Sequence, residues 1–313
     1  MYRNIEYKNV IPDKSTIIVG LSGGPDSVFL LHFLISLRDQ KNLTLIAAHL
    51  DHGWRKDSAN DAQFCKELTH SLSVQFENAT LQELKLTFKF NGSKEEIGRK
   101  ARRAFFESLV QKYNANAIAL AHHFDDQEET FFIRLIRGAS LSGLTGMKAK
   151  EGLYIRPLLA LRKAEILSYL DEHKIPYLTD PSNESPEFLR NRIRNTAIPA
   201  LRACDDRFDN NFESTLENLQ QTEEFLQQFA QKKLNEITTN QSLIIEQLLV
   251  LHPILRNKII IAWLIENKVP FTPSAGLIDE IVRFLQQSGD GQHIFYGKWK
   301  IHKQDGKATI ISC

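Results

Sequence analysis

The chain has 313 residues, a formal net charge of +1 at pH 7 and 42% hydrophobic residues. This length favours two domains over one, and the near-neutral charge excludes a global attraction to nucleic acid or acidic lipid. The three cysteines, Cys65, Cys204 and Cys313, are far apart, which excludes a disulfide framework and a zinc or iron–sulfur spacing. Since we find no signal region and no run of about 18 apolar residues, we expect a cytoplasmic protein without a membrane span.

A loop of small residues follows the first apolar run of the chain. The β-branched run 16–21 predicts a buried parallel strand and the Leu- and Phe-rich run 28–34 predicts a helix. The loop between them is Ser22-Gly23-Gly24-Pro25-Asp26-Ser27. Its glycines permit close approach of a ligand, and we expect Ser27 at or near the helix N-cap, where free N–H groups favour phosphate.

Asp26 is an acidic residue inside this predicted anion site. Its presence is explained if a divalent cation such as Mg²⁺ lies between its carboxylate and the phosphates. The competing interpretation of the loop is an ordinary Ser/Gly turn.

Strands and helices alternate through the first half of the chain. Further strands are predicted at 43–50, 74–76 and 117–121, and helices follow each of them, one opened by a capping box at Ser93 and extending to about Tyr113. This order predicts an α/β fold with a parallel sheet covered on both faces. The glycine loop and the polar clusters 49–54 and 122–126 all fall at the carboxyl edge of that sheet, where ligands bind.

The cluster 122–129 admits three interpretations. His122 and His123 with two aspartates could ligate a transition metal, but no cysteine or third histidine has a fitting spacing. Asp126 and Glu129 lie three residues apart on one helix face, and two such carboxylates suit an ammonium group or Mg²⁺. Acidic residues also favour the first turn of any helix, so a plain solvated role stays open.

The order and spacing of the motifs resemble the tRNA(Ile)-lysidine synthase family, which belongs to the N-type, or PP-loop, ATP pyrophosphatases. The resemblance covers about residues 15–205 and is weaker beyond. The matching segments are 22–27, 51–55, 99–106, 121–130, 135–138, 143–147, 156–159, 180–183 and 190–194.

The resemblance implies a Rossmann-like PP-loop ATP pyrophosphatase domain over 1–205 and a smaller α+β, tRNA-binding domain over 206–313, short and without a further appended domain. It implies a ligase that uses ATP and Mg²⁺ to adenylate C2 of the wobble cytidine in the CAU-anticodon isoleucine tRNA. L-Lysine then displaces AMP to give lysidine, and the tRNA reads AUA.

Individual residues receive roles by the same resemblance. Asp26 would hold Mg²⁺, Asp126 and Glu129 would bind and help deprotonate the lysine ammonium, and the arginines would stabilise phosphate or RNA. The implied nucleotide-binding residues are Ser22, Gly23, Gly24, Pro25, Asp26, Ser27 and His49. The implied catalytic residues are Asp26, Arg102, Asp126, Glu129 and Arg194.

Two alternatives stay open. The first is a tRNA thiolase of the same class, although the three cysteines do not pair in sequence as sulfur transfer usually requires. The second is a non-catalytic, nucleotide-responsive RNA-binding protein, against which the joint presence of Asp26, Asp126 and Glu129 argues. No glutaminase motif supports an amidotransferase.

The composition changes from about residue 205. Segment 212–237 predicts a long amphipathic helix, Pro253 and Pro273 predict the starts of two more, and 292–311 predicts a small β-meander. Its aromatic residues and lysines suit an RNA surface or the protected edge of a hairpin. They are Tyr296, Lys298, Trp299, Lys300, Lys303 and Lys307. The oligomeric state is left open, a homodimer being compatible with the sequence.

Overall fold

The computed structural model describes residues 10–54, 58–84, 94–179 and 188–312. Arg55, Ser93 and the motif 180–183 therefore lie outside the described residues. The chain divides into two compact units between residues 212 and 213. The composition change at residue 205 coincides with the end of the helix Ile198–Cys204. Phe212, further along the chain, still packs edge-on against Phe124 and Phe131 of the first unit.

Strands and helices alternate in the first unit. The strands are β1 (Thr16–Gly20), β2 (Thr44–Asp51), β3 (Gln75–Thr80), β4 (Ala117–Ala119), β5 (Lys150–Glu151) and β6 (Tyr154–Ile155). The helices are α1 (Pro25–Lys41), α2 (Ser58–Ser71), α3 (Lys94–Tyr113), α4 (Phe124–Ile136), α5 (Leu141–Leu144), α6 (Lys163–Glu172), α7 (Leu189–Arg192) and α8 (Ile198–Cys204). A π-helical turn, Ile193–Ala197, joins the last two.

The described strands of this unit form one sheet in the order β3-β2-β1-β4-β6-β5. All neighbours are parallel except the edge strand β5, which runs antiparallel to β6. The predicted α/β fold with a parallel sheet is therefore confirmed. The strands β2 and β3 lie on one side of β1, and the chain then returns to place β4 on the other side of β1. The crevice for a ligand therefore opens at the carboxyl end of β1.

Side-chain alternation along the strands divides the core into two layers. On β2, Leu45 and Ala47 pack in the cluster that contains α1, α2 and α6. Ile46 and Ala48 pack in the cluster that contains α3. We call these two sides of the sheet the α1 face and the α3 face. Burial on both faces explains why the strands are continuously apolar.

β3 extends further than the sequence predicts. Its residues Glu77 and Asn78 are polar and conceal the strand pattern, yet they pair in parallel with Ala48 and His49 of β2. As the last strand in the sheet order, β3 is only partly buried, so its sequence need not be apolar.

The second unit combines helices with an antiparallel sheet. Helix α9 (Phe208–Glu236) enters it, followed by β7 (Thr238–Thr239), β8 (Ser242–Ile244), α10 (Ile245–Leu249), α11 (Pro253–Glu266), α12 (Ala275–Gln286), β9 (Gly291–Tyr296), β10 (Trp299–Gln304) and β11 (Lys307–Ser312). The sheet order is β7-β8-β11-β10-β9, and its last three strands are the predicted meander. None of the helices described is long and apolar enough to cross a membrane.

Two sequence predictions for this unit are wrong. Pro273 does not begin α12, because Ser274 is the N-cap and its hydroxyl accepts the N–H of Leu277 at 3.2 Å. Lys303 does not contribute to a surface, because it is 4% exposed and its ammonium donates to the carbonyls of Phe284 and Gln287. It caps the carboxyl end of α12 instead.

An ion pair is buried between α9 and α11. The ammonium of Lys258 lies 2.6 and 2.7 Å from the two carboxylate oxygens of Glu223. The side chains are only 12% and 5% exposed. Removal of one partner from such a pair leaves a desolvated charge, which is more costly than loss of an exposed pair.

We predict that Lys258→Met lowers the free energy of unfolding of the second unit by about 3 kcal/mol, because Glu223 loses its ammonium partner. The matched control is Lys233→Met, whose partner Glu236 is 49% exposed. It should cost less than about 1 kcal/mol. Urea unfolding followed by tryptophan fluorescence, in a Trp54→Phe background that leaves only Trp263 and Trp299, measures both, and equal losses would contradict the prediction.

Candidate active site

The glycine loop leads from β1 directly into α1. Gly24, with φ −69° and ψ 161°, is the N-cap, and Pro25 is the first helical residue. Ser27 therefore lies inside the first turn rather than at the N-cap, because proline at the first position sets the helical φ. The Ser27 hydroxyl accepts the N–H of Ser22 at 3.1 Å and donates to the Gly24 carbonyl at 2.9 Å. These two bonds close the loop into a compact ring.

Gly23 is the position in this loop where only glycine fits. Its φ is +84°, and a Cβ atom would lie 2.8 Å from Leu178 Cδ1 and 3.4 Å from Cys65 Sγ. The Gly23 carbonyl also accepts the N–H of Leu178 at 2.9 Å. Backbone conformation and packing together therefore exclude a side chain.

His49 projects from β2 on the α1 face. It is 6% exposed, and its Nδ1 donates to the Leu21 carbonyl at 3.0 Å. Cys65 Sγ lies 3.6 Å from the same nitrogen. Burial raises the pKa of the Cys65 thiol to about 12, so this cysteine stays protonated and unreactive at neutral pH.

The N-terminal ends of α1, α4 and α6 converge at Asp26. The ammonium of Lys163 lies 2.6 Å from Asp26 Oδ1, and His123 Nε2 lies 3.7 Å from the same oxygen. The backbone N–H of Lys163 donates to Asp125 Oδ2 at 2.8 Å. Sequence reasoning missed Lys163, because it is 137 residues from Asp26 and no local pattern connects the two.

The adjacent histidines at the start of α4 have opposite electrostatic surroundings. Burial lowers the pKa of His122 to about 4 against the negative charge of Asp126, which raises it, and the positive charges of Arg156, Arg190 and Arg102 act in the same direction as burial. Burial alone would also lower the pKa of His123, but the surrounding carboxylates, with Asp125 and Asp126 at 3.4 and 3.5 Å, raise it above its usual value. His122 is therefore neutral at pH 7, whereas the surroundings of His123 stabilise its charged form relative to that of a free imidazole.

Asp126 and Glu129 form a buried cluster with two arginines. Arg190 bridges them, with Nη2 at 2.8 Å from Asp126 Oδ1 and Nε at 2.5 Å from Glu129 Oε2. Arg194 Nε contacts Glu129 Oε1 at 2.5 Å, and the backbone N–H of His123 donates to Asp126 Oδ2 at 3.0 Å. Every oxygen of the two carboxylates therefore has a donor.

Three of the residues named by the sequence resemblance, Asp126, Glu129 and Arg194, thus meet in one cluster. Arg190 completes it, although the sequence analysis includes it only as part of the matching segment 190–194. Burial would raise the pKa of Asp126, but His123 and Arg190 hold it below its usual value. Arg194 lies in the π-helical turn, a local geometry that is frequent at functional sites.

Glu128, the neighbour of Glu129, belongs to a separate ion cluster. Its side chain is fully buried and accepts from Arg162 at 3.1 Å and Arg202 at 2.8 Å. The Arg162 guanidinium also stacks over the Phe124 ring at 4.2 Å. This cluster fastens α4 to α6 and α8 and so holds the face that carries Asp126 and Glu129.

The motif 143–147 has a structural explanation. Gln127 accepts the N–H of Met147 at 2.6 Å and donates to its carbonyl at 2.9 Å. Gly146 has φ +71°, and a Cβ atom there would lie 2.6 Å from Gln127 Oε1. Arg134 donates to the carbonyls of Gly143 and Gly146 at 2.8 and 3.0 Å. These contacts fix the segment after α4.

Arg102 lies exposed on α3. Burial lowers the pKa of His52 to about 4, and the positive charge of Arg102 acts in the same direction. The same charge also contributes to the low pKa of His122. Arg102 therefore lies near the carboxyl ends of both β2 and β4. No group of three or more potential ligands for a metal is found among the residues that the structure describes.

Together these groups form an anion-binding site at the start of α1, beside the cluster of Asp126, Glu129, Arg190 and Arg194. The free N–H groups of α1 and the Lys163 ammonium suit phosphate oxygens. The carboxylates and guanidinium groups of the neighbouring cluster suit an amino acid, which carries charges of both signs.

Proteins of similar sequence occur in several Bacillus species. The tRNA(Ile)-lysidine synthase of Bacillus thuringiensis subsp. konkukian is 33% identical, over 95% of this chain and 65% of its own length. That of Bacillus subtilis is 35% identical, over 88% of this chain and 61% of its own length. This chain thus spans about two thirds or less of the length of these relatives.

The fold also has a solved counterpart. The U34-tRNA thiolase NcsA from Methanococcus maripaludis, with its [4Fe-4S] cluster, is 18% identical and superposes with a TM-score of 0.58 over 70% of this chain and 76% of its own. This likeness concerns the fold alone. The family model described as the PP-loop domain matches residues 2–201, which include the glycine loop, the cluster of Asp126, Glu129, Arg190 and Arg194, and the sheet that positions them. The chain therefore belongs to the PP-loop domain family.

Proposed function

We propose that this protein is a tRNA(Ile)-lysidine synthase, an ATP-dependent ligase that joins L-lysine to the wobble cytidine of the CAU-anticodon isoleucine tRNA. The observation that carries the proposal is the continuity of the site. The glycine loop connects through Asp26 and His123 to the carboxylate–arginine cluster of Asp126 and Glu129. Similarity to the Bacillus synthases supports it.

The first step is transfer of AMP to the tRNA. The O2 oxygen of the cytidine attacks the α-phosphorus of ATP, the bond between that phosphorus and the bridging oxygen breaks, and pyrophosphate leaves with the negative charge. The amides of Gly23 and Gly24 and the hydroxyls of Ser22 and Ser27 hold the β- and γ-phosphates. The Ser27 hydroxyl turns from the Gly24 carbonyl to a phosphate oxygen when the nucleotide binds, and His49 lies beside the base and ribose. Donors aimed at the leaving group stabilise the charge that develops there.

Asp26 would hold Mg²⁺ in this step. It is a single carboxylate beside a phosphate seat, and Mg²⁺ is commonly held by one or two carboxylates together with phosphate oxygens and water. The residues present therefore fit the ion, which when bound neutralises phosphate charge. Lys163, 2.6 Å from Asp26, adds a fixed positive charge at the same place.

The second step is attack by lysine. One proton passes from the ε-ammonium group to the carboxylate of Glu129, and the freed ε-amino nitrogen bonds to C2 of the adenylated cytidine. The bond from C2 to oxygen breaks, and AMP leaves with that oxygen. The carboxylates of Asp126 and Glu129 bind the ammonium groups of lysine, since each carboxylate can accept about four hydrogen bonds. Arg102 and Arg194 stabilise phosphate or RNA, and Arg190 orients both carboxylates.

The lowered pKa of Asp126 refines this assignment. A carboxylate that His123 and Arg190 keep ionised is a strong electrostatic partner for an ammonium group but a weak base. We therefore assign Asp126 to holding lysine in place. Its part in removing the proton is secondary.

The tRNA and the compartment follow from the same proposal. The remaining exposed or partly exposed lysines of the C-terminal meander, Lys298, Lys300 and Lys307, can contact tRNA phosphates. We also propose that the enzyme acts in the cytoplasm, where its proposed substrates tRNA and ATP are found.

A tRNA thiolase is less well supported. Cys65 is buried and protonated, and Cys204 is exposed without a neighbouring cysteine among the described residues. Cys313 lies outside the described residues.

We predict that purified protein with ATP and Mg²⁺ releases pyrophosphate in sustained turnover only when both a CAU-anticodon isoleucine tRNA and free L-lysine are present. Lysine is required because it clears the adenylated tRNA. A transcript with uridine at the wobble position is the control, and it should give no release above background. Turnover that is indifferent to lysine would defeat the lysidine assignment and leave the nucleotide site intact.

We predict that Gly23→Ala weakens ATP binding about tenfold or more, because the left-handed backbone and the contact with Leu178 oppose a Cβ atom by more than about 1.4 kcal/mol. Gly24→Ala is the matched control in the same loop. Its φ is −69° and the nearest atom to its Cβ, Ser22 Oγ, lies 3.5 Å away.

Gly24→Ala should therefore change ATP affinity by less than about threefold, which corresponds to a free-energy difference under about 0.7 kcal/mol. Isothermal titration calorimetry measures both affinities, and thermal melting verifies that both variants are folded. If the two substitutions weaken binding equally, the backbone of Gly23 does not shape the phosphate seat.

A further inference from the structure

An exposed tryptophan stands at the end of β2, beside the proposed active site. Trp54 is 45% exposed and belongs to none of the hydrophobic clusters of the described residues. Its indole stacks on the His52 ring with centroids 4.5 Å apart and planes inclined by 18°. The pair is therefore stacked but still open to solvent, and it is not part of the described hydrophobic core.

The stacked pair is held in place from two sides. Gly98 of α3 supports it, since a Cβ atom there would lie 2.7 Å from Trp54 Cη2 and 3.2 Å from His52 Cε1. On the other side Asp51 accepts the N–H of Gly53 at 2.7 Å, and Gly53 has φ +64°. The absence of a side chain at Gly98 lets both rings rest on the helix backbone.

The surroundings of the pair are basic. Arg102 lies one helical turn after Gly98, on the same side of α3, and is exposed, as is Arg99. Burial and the charge of Arg102 keep His52 neutral at pH 7. A neutral aromatic surface beside exposed guanidinium groups suits a planar base attached to a phosphodiester.

The pair lies apart from the nucleotide seat. His49 contacts Leu21 and Cys65 on the α1 face, where the glycine loop also lies. His52 and Trp54 rest on α3, which packs on the opposite face. A ligand that reaches the reacting centre and this pair at once must therefore extend beyond a single ATP molecule.

We propose that Trp54 and His52 form a stacking platform for an unpaired nucleobase of the RNA substrate, next to the reacting nucleotide, with Arg102 contacting the adjoining phosphate. This inference rests on the proposed function, because it requires an RNA substrate. Single-stranded RNA is commonly bound by stacking its unpaired bases on aromatic side chains. Alanine replacement of such a ring typically costs several-fold to about a hundredfold in affinity.

The test compares Trp54→Ala with Trp54→Phe by steady-state pyrophosphate release, with tRNA and ATP varied in turn. Trp54→Ala should raise KM for tRNA about tenfold and leave KM for ATP unchanged, because only the RNA base loses its platform. Trp54→Phe should stay within about threefold of the original KM, since it keeps a ring. Leu153→Ala, which truncates a side chain 40% exposed in the same unit, is the matched control and should change neither constant.

Direct binding separates this inference from the proposed function. The probe is a single-stranded anticodon-loop RNA that carries 2-aminopurine beside the wobble cytidine, and quenching of its fluorescence by the protein is measured without lysine or turnover. Quenching that is lost in Trp54→Ala and kept in Trp54→Phe supports the platform even if lysine-dependent turnover fails. Unchanged quenching and an unchanged KM for tRNA in Trp54→Ala would overturn it while the proposed function stands. A rise in KM for ATP alone would also overturn it, because adenine would then be the occupant.

Discussion

The turn from β1 into α1 is the constraint on which the rest of the site depends. Gly23 holds a backbone angle of +84° while Leu178 packs where its side chain would be, so the loop has one shape. That shape directs the first N–H groups of α1 outward and places Asp26 within 2.6 Å of Lys163. The start of α6 is thereby drawn to the start of α1, at the point where the strand order reverses.

Two adjacent carboxylates of helix α4 have different roles, one structural and one functional. Glu128 faces Arg162 and Arg202, which lock the helix to its neighbours, whereas Glu129 faces Arg190 and Arg194 at the proposed lysine site. Buried carboxylates of this kind are tolerated because each is paired, and removal of one partner would leave an uncompensated charge. The structural cluster thus supplies the rigidity that a site for a small charged substrate needs.

The parts of the fold that depend on local sequence could be predicted. Strands buried on both faces leave apolar runs, and the glycine loop follows the first of them, so the parallel sheet and its active edge were accessible from the sequence. Contacts across long separations were not. Lys163 reaches Asp26 from a helix that is distant in sequence. The local sequence around Arg190 does not distinguish it from an arginine exposed to solvent. Lys303 shows the same limit, since the sequence could not show that its ammonium caps a buried helix end.

The central claim is that the glycine loop holds the outgoing pyrophosphate. A crystal structure with Mg²⁺ and α,β-methylene ATP, whose α–β bridge cannot be cleaved, tests it most directly. The account predicts the β- and γ-phosphates at the amides of Gly23 and Gly24 and the hydroxyl of Ser27, with the metal at Asp26. A triphosphate bound instead at Arg190 and Arg194, with the loop empty, would contradict it.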